Sequence, residues 1–174
     1  TASLRRRVQL QAQRPDLEYK LLRGNVNTRL AKLAGKEMDA TLMALAGLKR
    51  LGLTEHIAHP LSITEMLPAV GQGTLCVCVL EQDVQSQELL SPLNHPETER
   101  CLIAERTMLA LLDGNCQTPI AGYAYFTQGA LHMEGMLASL DGSRMVKAKT
   151  TGDDPITLGT KIANMLKCQY AETG

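Results

Sequence analysis

Arginine and cysteine are the residues of this 174-residue chain best placed to do chemistry. Arg5, Arg6 and Arg7 follow Ser3-Leu4, in what reads as the first turn of a helix. Cations there oppose the helix dipole, an arrangement tolerable where an anion is bound, because helix N-termini and guanidinium forks both suit carboxylate or phosphate. Arg23 precedes Gly24 in a strand-to-helix loop, and Arg29 lies on the short helix that follows. Helical neighbours are offset by about 100°, so three consecutive arginines cannot all face one ligand. Taken alone, such a run is a solvated basic face. The Arg23-Gly24 loop, at strand ends where α/β sheets form their ligand crevice, sets an anion site beside that reading.

Cys116 sits in Leu112-Asp113-Gly114-Asn115-Cys116-Gln117-Thr118-Pro119-Ile120, just past a predicted helix. A thiol there is a buried filler, a nucleophile or a covalent tether. Free cysteine is most often a small buried hydrophobe, and a helix C-terminus does not lower a thiol's pKa. Cys76 and Cys78 stand two apart on a predicted strand and read as core, as do Cys101 and Cys168 on helices. The five cysteines lack zinc-site spacing. His56 and His59 could share a helix face but have no third and fourth ligand nearby, so no metal is expected. Gly71-Gln72-Gly73 is too short for a dinucleotide or phosphate-loop fingerprint, and neither G-x-S-x-G nor H-E-x-x-H occurs.

The composition narrows the partners. Aromatics make up 3% of the chain, with no Trp and one Phe, whereas single-strand nucleic-acid binding relies on aromatic stacking platforms. Net charge is zero, yet residues 1–50 hold eleven Lys/Arg against four Asp/Glu, and the remainder seven against fourteen. That asymmetry suits an anion-handling lobe better than a uniformly basic nucleic-acid binder, which would show steeply salt-dependent binding. No apolar run reaches the roughly 18–20 residues of a bilayer span and no signal peptide opens the chain, so cytoplasm with reduced thiols is the expectation. Thr1-Ala2-Ser3-Leu4, without an initiator Met, reads as the middle of a domain.

These residues need positioning elements. Ser3 caps a helix from Leu4 to about Arg14, which Pro15 stops. Leu17–Leu21 alternates as a half-buried strand should. A short helix runs from Val26 to Ala34 with Gly35 as its left-handed terminator, and Asp39–Leu45 reads as a buried strand. Leu67–Gly73 is a breaker-rich crossing, expected to act as a hinge, followed by a strand over Thr74–Leu80. Pro96 opens what reads as the longest helix, with Leu102, Ile103, Met108, Leu109 and Leu112 as its apolar stripe. Pro119–Phe126, Leu131–Ala138 and Arg144–Thr150 read as three strands joined at Gln128-Gly129 and Asp141-Gly142. A helix capped by Asp154-Pro155 closes the chain near Tyr170. Alternating helix and strand followed by a meander predicts an α/β fold with parallel strands, then a small α+β unit with a three-stranded antiparallel sheet.

Five segments, in order, carry a resemblance: Ser3-Leu4-Arg5-Arg6; Arg23-Gly24-Asn25-Val26-Asn27-Thr28-Arg29-Leu30; Ala44-Leu45-Ala46-Gly47-Leu48-Lys49-Arg50-Leu51-Gly52; Leu67-Pro68-Ala69-Val70-Gly71-Gln72-Gly73; and Ala104-Glu105-Arg106 through Gly114-Asn115-Cys116-Gln117-Thr118-Pro119-Ile120. Together they resemble the porphobilinogen deaminase (hydroxymethylbilane synthase) family over nearly the whole chain. The resemblance implies a transferase that condenses four porphobilinogen molecules into hydroxymethylbilane, losing ammonia at each addition, in tetrapyrrole (heme) biosynthesis. It implies a dipyrromethane cofactor held by a thioether to Cys116, with Ser3, Arg5, Arg6, Arg23, Gly24 and Arg29 binding its carboxylates and those of the substrate. It assigns no role to Arg7, and gives Gly71, Gln72 and Gly73 the hinge.

The same resemblance implies a partition. Residues 1–68 become most of a periplasmic-binding-protein-like second α/β domain, 69–93 a hinge and segment returning to a first domain, and 94–174 the cofactor-attachment domain. The family's catalytic aspartate, in a Lys-Asp-Val-Pro-like motif, belongs to an N-terminal domain that this sequence lacks, so no catalytic residue is assigned here and the chain alone is expected to be inactive. Its partners are porphobilinogen, the growing oligopyrrole and that domain, with neither nucleic acid nor membrane. Asn115, Ala2 and Cys78 stand where the family usually has Gly, Ser and Glu. The rival reading is a non-catalytic anion-binding or assembly module on the same scaffold.

Overall fold

The computed structural model describes residues 1–113 and 118–173. Helix α1 (Leu4–Gln13) begins where Ser3 Oγ accepts from the Arg6 amide at 3.4 Å and ends just before Pro15. Helix α2 (Val26–Ala34) is capped by Asn25, whose Oδ1 accepts from the Thr28 amide and hydroxyl, both at 2.9 Å. Its other end departs from expectation by one residue. Gly35 has φ −74, and Lys36, at φ 57, takes the left-handed position. The amide of Lys36 reaches Leu33 O and that of Glu37 reaches Lys32 O, the paired bonds of a Schellman terminus.

Two short helices were not foreseen: α3 (Leu45–Arg50) and α4 (Val84–Leu90). The latter is capped by Asp83, which accepts from the Ser86 amide at 3.0 Å. Conversely, the strands predicted over 17–21, 39–45 and 74–80 are not formed, and with them the parallel sheet. A strand exists only in a ladder, and no partner ladder for these segments occurs among the described residues. In 74–80 the apolar side chains lie open instead: Leu75 is 75% exposed and Val77 66%. Cys76 and Cys78, predicted as core, are exposed for the same reason.

The second half matches its reading closely. Helix α5 (Pro96–Leu111) starts with Pro96 in its first turn and Glu97 and Glu99 facing the dipole's positive end. Strands β1 (Ile120–Thr127), β2 (Ala130–Ala138) and β3 (Met145–Gly152) form an antiparallel sheet in that order, with Ala124 opposite Met133 and Met133 opposite Thr150. Gln128 and Gly129 both have positive φ, 51 and 78, as a two-residue hairpin turn demands. Helix α6 (Pro155–Glu172) is capped by Asp154, which accepts from the Thr157 amide at 2.7 Å. At 18 residues against 16 it, not α5, is the longest helix described.

Helices α5 and α6 cover one face of the sheet. Ala104, Met108, Met133, Ile162 and Leu166 form the centre of that core. Gly159 lets the helices approach closely: a Cβ there would lie 2.3 Å from Ala104 O. Ile103 faces outward from the predicted stripe, and Cys168 is exposed on α6 while Ile162, Ala163 and Leu166 take its inner side. On the sheet's other face, Val8 of α1 and Leu67 pack against Ala121, Met136 and Ala138. The first helix of the chain is therefore bound to the back of a sheet made more than a hundred residues later.

Candidate anion-binding site

Three of the predicted arginines gather at the start of α1 and α2. Arg5 is half-buried, and its Nη1 is sealed from solvent without a hydrogen-bond partner. Burial, then the charge of Arg6, lowers its pKa to about 10. Burial, then the charge of Arg29, lowers that of Arg6. The guanidiniums of Arg5, Arg6 and Arg29 are thus near enough to repel one another in turn. No ion pair among the described residues neutralises any of them.

The backbone fixes two of the three. Arg6 Nη1 donates to Leu42 O at 3.0 Å. Arg29 Nε donates to Gly24 O at 2.9 Å, folding the side chain back over the loop that precedes α2. Gly24 sits at φ +120, and a Cβ there would lie 2.8 Å from Thr28 Cγ2. Only glycine lets the loop turn this tightly. Arg23 and Arg7 are exposed, and the structure does not tie either to the cluster. Ser3 serves as the cap of α1.

Collected like charge with a sealed, unpaired donor is costly unless something neutralises it. A ligand bearing several carboxylates fits that requirement, since a guanidinium fork donates to two carboxylate oxygens at once. A dipyrromethane group is such a ligand. Thr41 Oγ1, next to Leu42 in sequence, is also buried without a partner.

The glycine crossing is a turn over residues 70–73. Gly71 and Gly73 have φ +68 and +93, and Gln72 Oε1 accepts from the Ala69 amide at 3.2 Å. What sequence reading missed is Glu105, which holds this turn. Its Oε2 accepts from the Gly71 amide at 2.7 Å and its Oε1 from the Ala124 amide at 2.8 Å. Burial raises its pKa, against the pull of those two amides. A carboxylate between Ala104 and Met108 on a buried helix face was the available signal. Glu105 forms the floor of a cleft of about 290 Å³ lined also by Gln72, His95, Cys101 and Tyr123. Burial, then the charges of Glu105 and Glu97, pushes the Cys101 thiol up.

Cys116, with Asn115 beside it, lies outside the described residues. Three residues after Cys116 in sequence, Pro119 is buried and its carbonyl accepts from the Ala138 amide at 3.1 Å. Among the described residues no group of three or more His, Cys, Asp or Glu could hold a metal, and no helix is long and apolar enough to cross a membrane.

Helices around one antiparallel sheet, with unneutralised guanidinium charge gathered at a helix start, define a mixed α/β protein carrying an arginine cluster. Comparison with known proteins makes this specific. The family model described as "Porphobilinogen deaminase, dipyromethane cofactor binding domain" matches residues 1–88, and "Porphobilinogen deaminase, C-terminal domain" matches residues 99–168. The chain belongs to the porphobilinogen deaminase family. It is 46% identical over 173 residues to a porphobilinogen deaminase of Geobacillus kaustophilus, covering 99% of this chain and 56% of that protein. A relative from Acidithiobacillus ferrooxidans is 43% identical over 171 residues, covering 98% and 56%. One from Lawsonia intracellularis is 46% identical over 175 residues, covering 99% and 57%. The chain therefore spans a little over half the length of these curated relatives.

Proposed function

We propose that this chain is the arginine- and cysteine-bearing part of a hydroxymethylbilane synthase, the transferase that condenses four porphobilinogen molecules with loss of ammonia. The observation that carries the reading is the sealed, unpaired Nη1 of Arg5 beside Arg6 and Arg29, none of which has a carboxylate partner among the described residues. Arg5, Arg6, Arg23 and Arg29 hold the acetate and propionate groups of the pyrroles, with the Ser3 hydroxyl and Gly24 amide assisting. Cys116 carries the thioether. When bound, the dipyrromethane supplies the primer to which porphobilinogen units add.

The chain's own residues bind and orient: they would neutralise the carboxylates of the bound pyrroles, and they supply no proton for the loss of ammonia. That step belongs to an aspartate in an N-terminal domain, the partner of this chain. Residues 1–68 form most of a second, periplasmic-binding-protein-like domain, 69–93 the hinge and returning segment, and 94–174 the cofactor-attachment domain. The gap between the two matched spans, 88 to 99, supports the second of these boundaries. The open apolar segment 74–80 supports a strand that pairs with the first domain. We assign the protein to the cytoplasm, where thiols stay reduced.

Intact mass spectrometry of the chain produced together with a complementary N-terminal domain tests the reading. The expected result is a two-pyrrole adduct that vanishes in Cys116→Ser, with bilane formation by the pair and none by the chain alone. An unmodified Cys116 thiol would overturn the tether and favour the anion-binding or assembly module.

A further inference from the structure

Gln9 is buried on α1 at 1% exposure, and its amide is spent entirely on backbone. Its Nε2 donates to Leu67 O at 3.0 Å and to Arg5 O at 3.2 Å, while its Oε1 accepts from the Leu67 amide at 2.9 Å. The double bond to Leu67 copies the exchange that two opposed residues make in an antiparallel ladder.

Arg5, Gln9 and Gln13 are spaced four apart and share one face of α1. Gln13 Nε2 donates to Glu65 O at 2.8 Å, so residues 65–67 run along that face against the direction of the helix. From there the connection continues into the sheet, because the Gly122 amide of β1 donates to Pro68 O at 3.2 Å. Strand β1 begins at Ile120, four residues after Cys116 in sequence.

We infer that Gln9 is a positioning residue for the arginine site. By gripping Leu67 it sets where α1 lies along the sheet, and so where Arg5 and Arg6 stand relative to strand β1, which follows Cys116 in sequence. Hydrophobic packing of Val8 on Met136 and Ala138 holds α1 down but is non-directional, so it leaves the register to the amide. The inference rests on the reading that Arg5 and Arg6 bind pyrrole carboxylates.

Calorimetric titration with porphobilinogen tests it, in the Cys116→Ser chain so that no tethered pyrrole competes, and well below each variant's unfolding midpoint. Gln9→Met fills the same space without hydrogen bonds, and Arg5→Gln serves as the control for the reading itself. The expected result is a Kd raised about tenfold in Gln9→Met, the worth of one charge-assisted contact, at unchanged stoichiometry. A merely structural role would lower the number of sites titrated and leave Kd alone. If Arg5→Gln weakens binding while Gln9→Met stays within about twofold of the parent, the inference fails and the carboxylate reading stands. If the parent does not bind, or Arg5→Gln binds as well as the parent, the reading fails and takes the inference with it. Should Gln9→Met not fold, amide exchange on the Gln9-containing chain decides. Saturating porphobilinogen is expected to slow exchange of the Leu67 amide more than that of Met133 in the sheet, and equal slowing would overturn the coupling.

Discussion

Glu105 and Gly71 meet across the joint between α5 and the glycine turn, the carboxylate Oε2 lying 2.7 Å from the amide nitrogen. Because the other oxygen holds the Ala124 amide, one side chain joins a turn, a helix and a strand. An acid on a buried face is thereby put to structural use.

Glu105→Gln keeps the shape but turns one acceptor into a donor facing an N–H, leaving a buried amide unpaired. The expected loss is about 1–3 kcal/mol in chemical denaturation. The pH dependence has a definite sign. Burial raises the folded-state pKa of Glu105 above its ordinary value, so the folded state holds the proton more tightly. The side chain's contribution is thus largest below the ordinary carboxylate pKa and shrinks as pH rises towards the folded value. The stability gap between parent and Glu105→Gln is expected to widen on acidification from neutrality towards pH about 4. A gap that narrows over that range would contradict the assignment.

Arg5→Met removes a half-buried charge that has an orphan donor and a cationic neighbour. In the ligand-free chain it is expected to raise stability by about 1 kcal/mol, since apolar replacement of poorly compensated buried charge is neutral or stabilising. The same variant is expected to lose most of the rise in melting temperature that porphobilinogen gives the Cys116→Ser parent. Thermal scans with and without ligand check both halves. A destabilised Arg5→Met would show that a counter-charge was already in place.

Gly159→Ala drives a methyl group to 2.3 Å from Ala104 O and 2.8 Å from Thr107 Cβ. Neither neighbour is the end of a flexible side chain, so α5 and α6 must separate. The expected cost is about 2–3 kcal/mol, towards the upper end for overpacking, read from urea unfolding. An unchanged midpoint would mean that the helices cross farther apart than described.

Gly24→Ala combines a forbidden φ with contact against Thr28 Cγ2. The loop must shift, and with it the carbonyl that holds Arg29. About 1–3 kcal/mol of backbone strain is expected, together with weaker porphobilinogen binding. Adding Thr28→Ser removes the methyl contact but not the strain, so the double variant should recover only part of the loss.

Legibility in the sequence divided by contact range. The meander was readable almost to the residue, because Gln128-Gly129 and Asp141-Gly142 fix hairpins locally and Asp154-Pro155 marks a helix start. Ser3 likewise announced α1. Leu17–Leu21, Asp39–Leu45 and Thr74–Leu80 have the alternation or apolar content of strands, but propensity makes no strand without a neighbour to pair with. In the site, residue type and spacing singled out Arg5, Arg6, Arg7, Arg23 and Arg29, of which the structure brings Arg5, Arg6 and Arg29 together. Gln9 and Glu105 were passed over because their partners are backbone groups 58 and 34 residues away, which no local pattern encodes.

The docking of α1 on the far face of the sheet also fixes an order of assembly. The meander pairs only sequence neighbours, so β1, β2 and β3 close short loops and form quickly. Helix α1 leaves the ribosome before them, and Met136 and Ala138, the surface that receives Val8, follow it by more than a hundred residues. The arginine helix therefore waits for a seat made more than a hundred residues later, and the cluster of positive charge is set in place only when the sheet has folded beneath it.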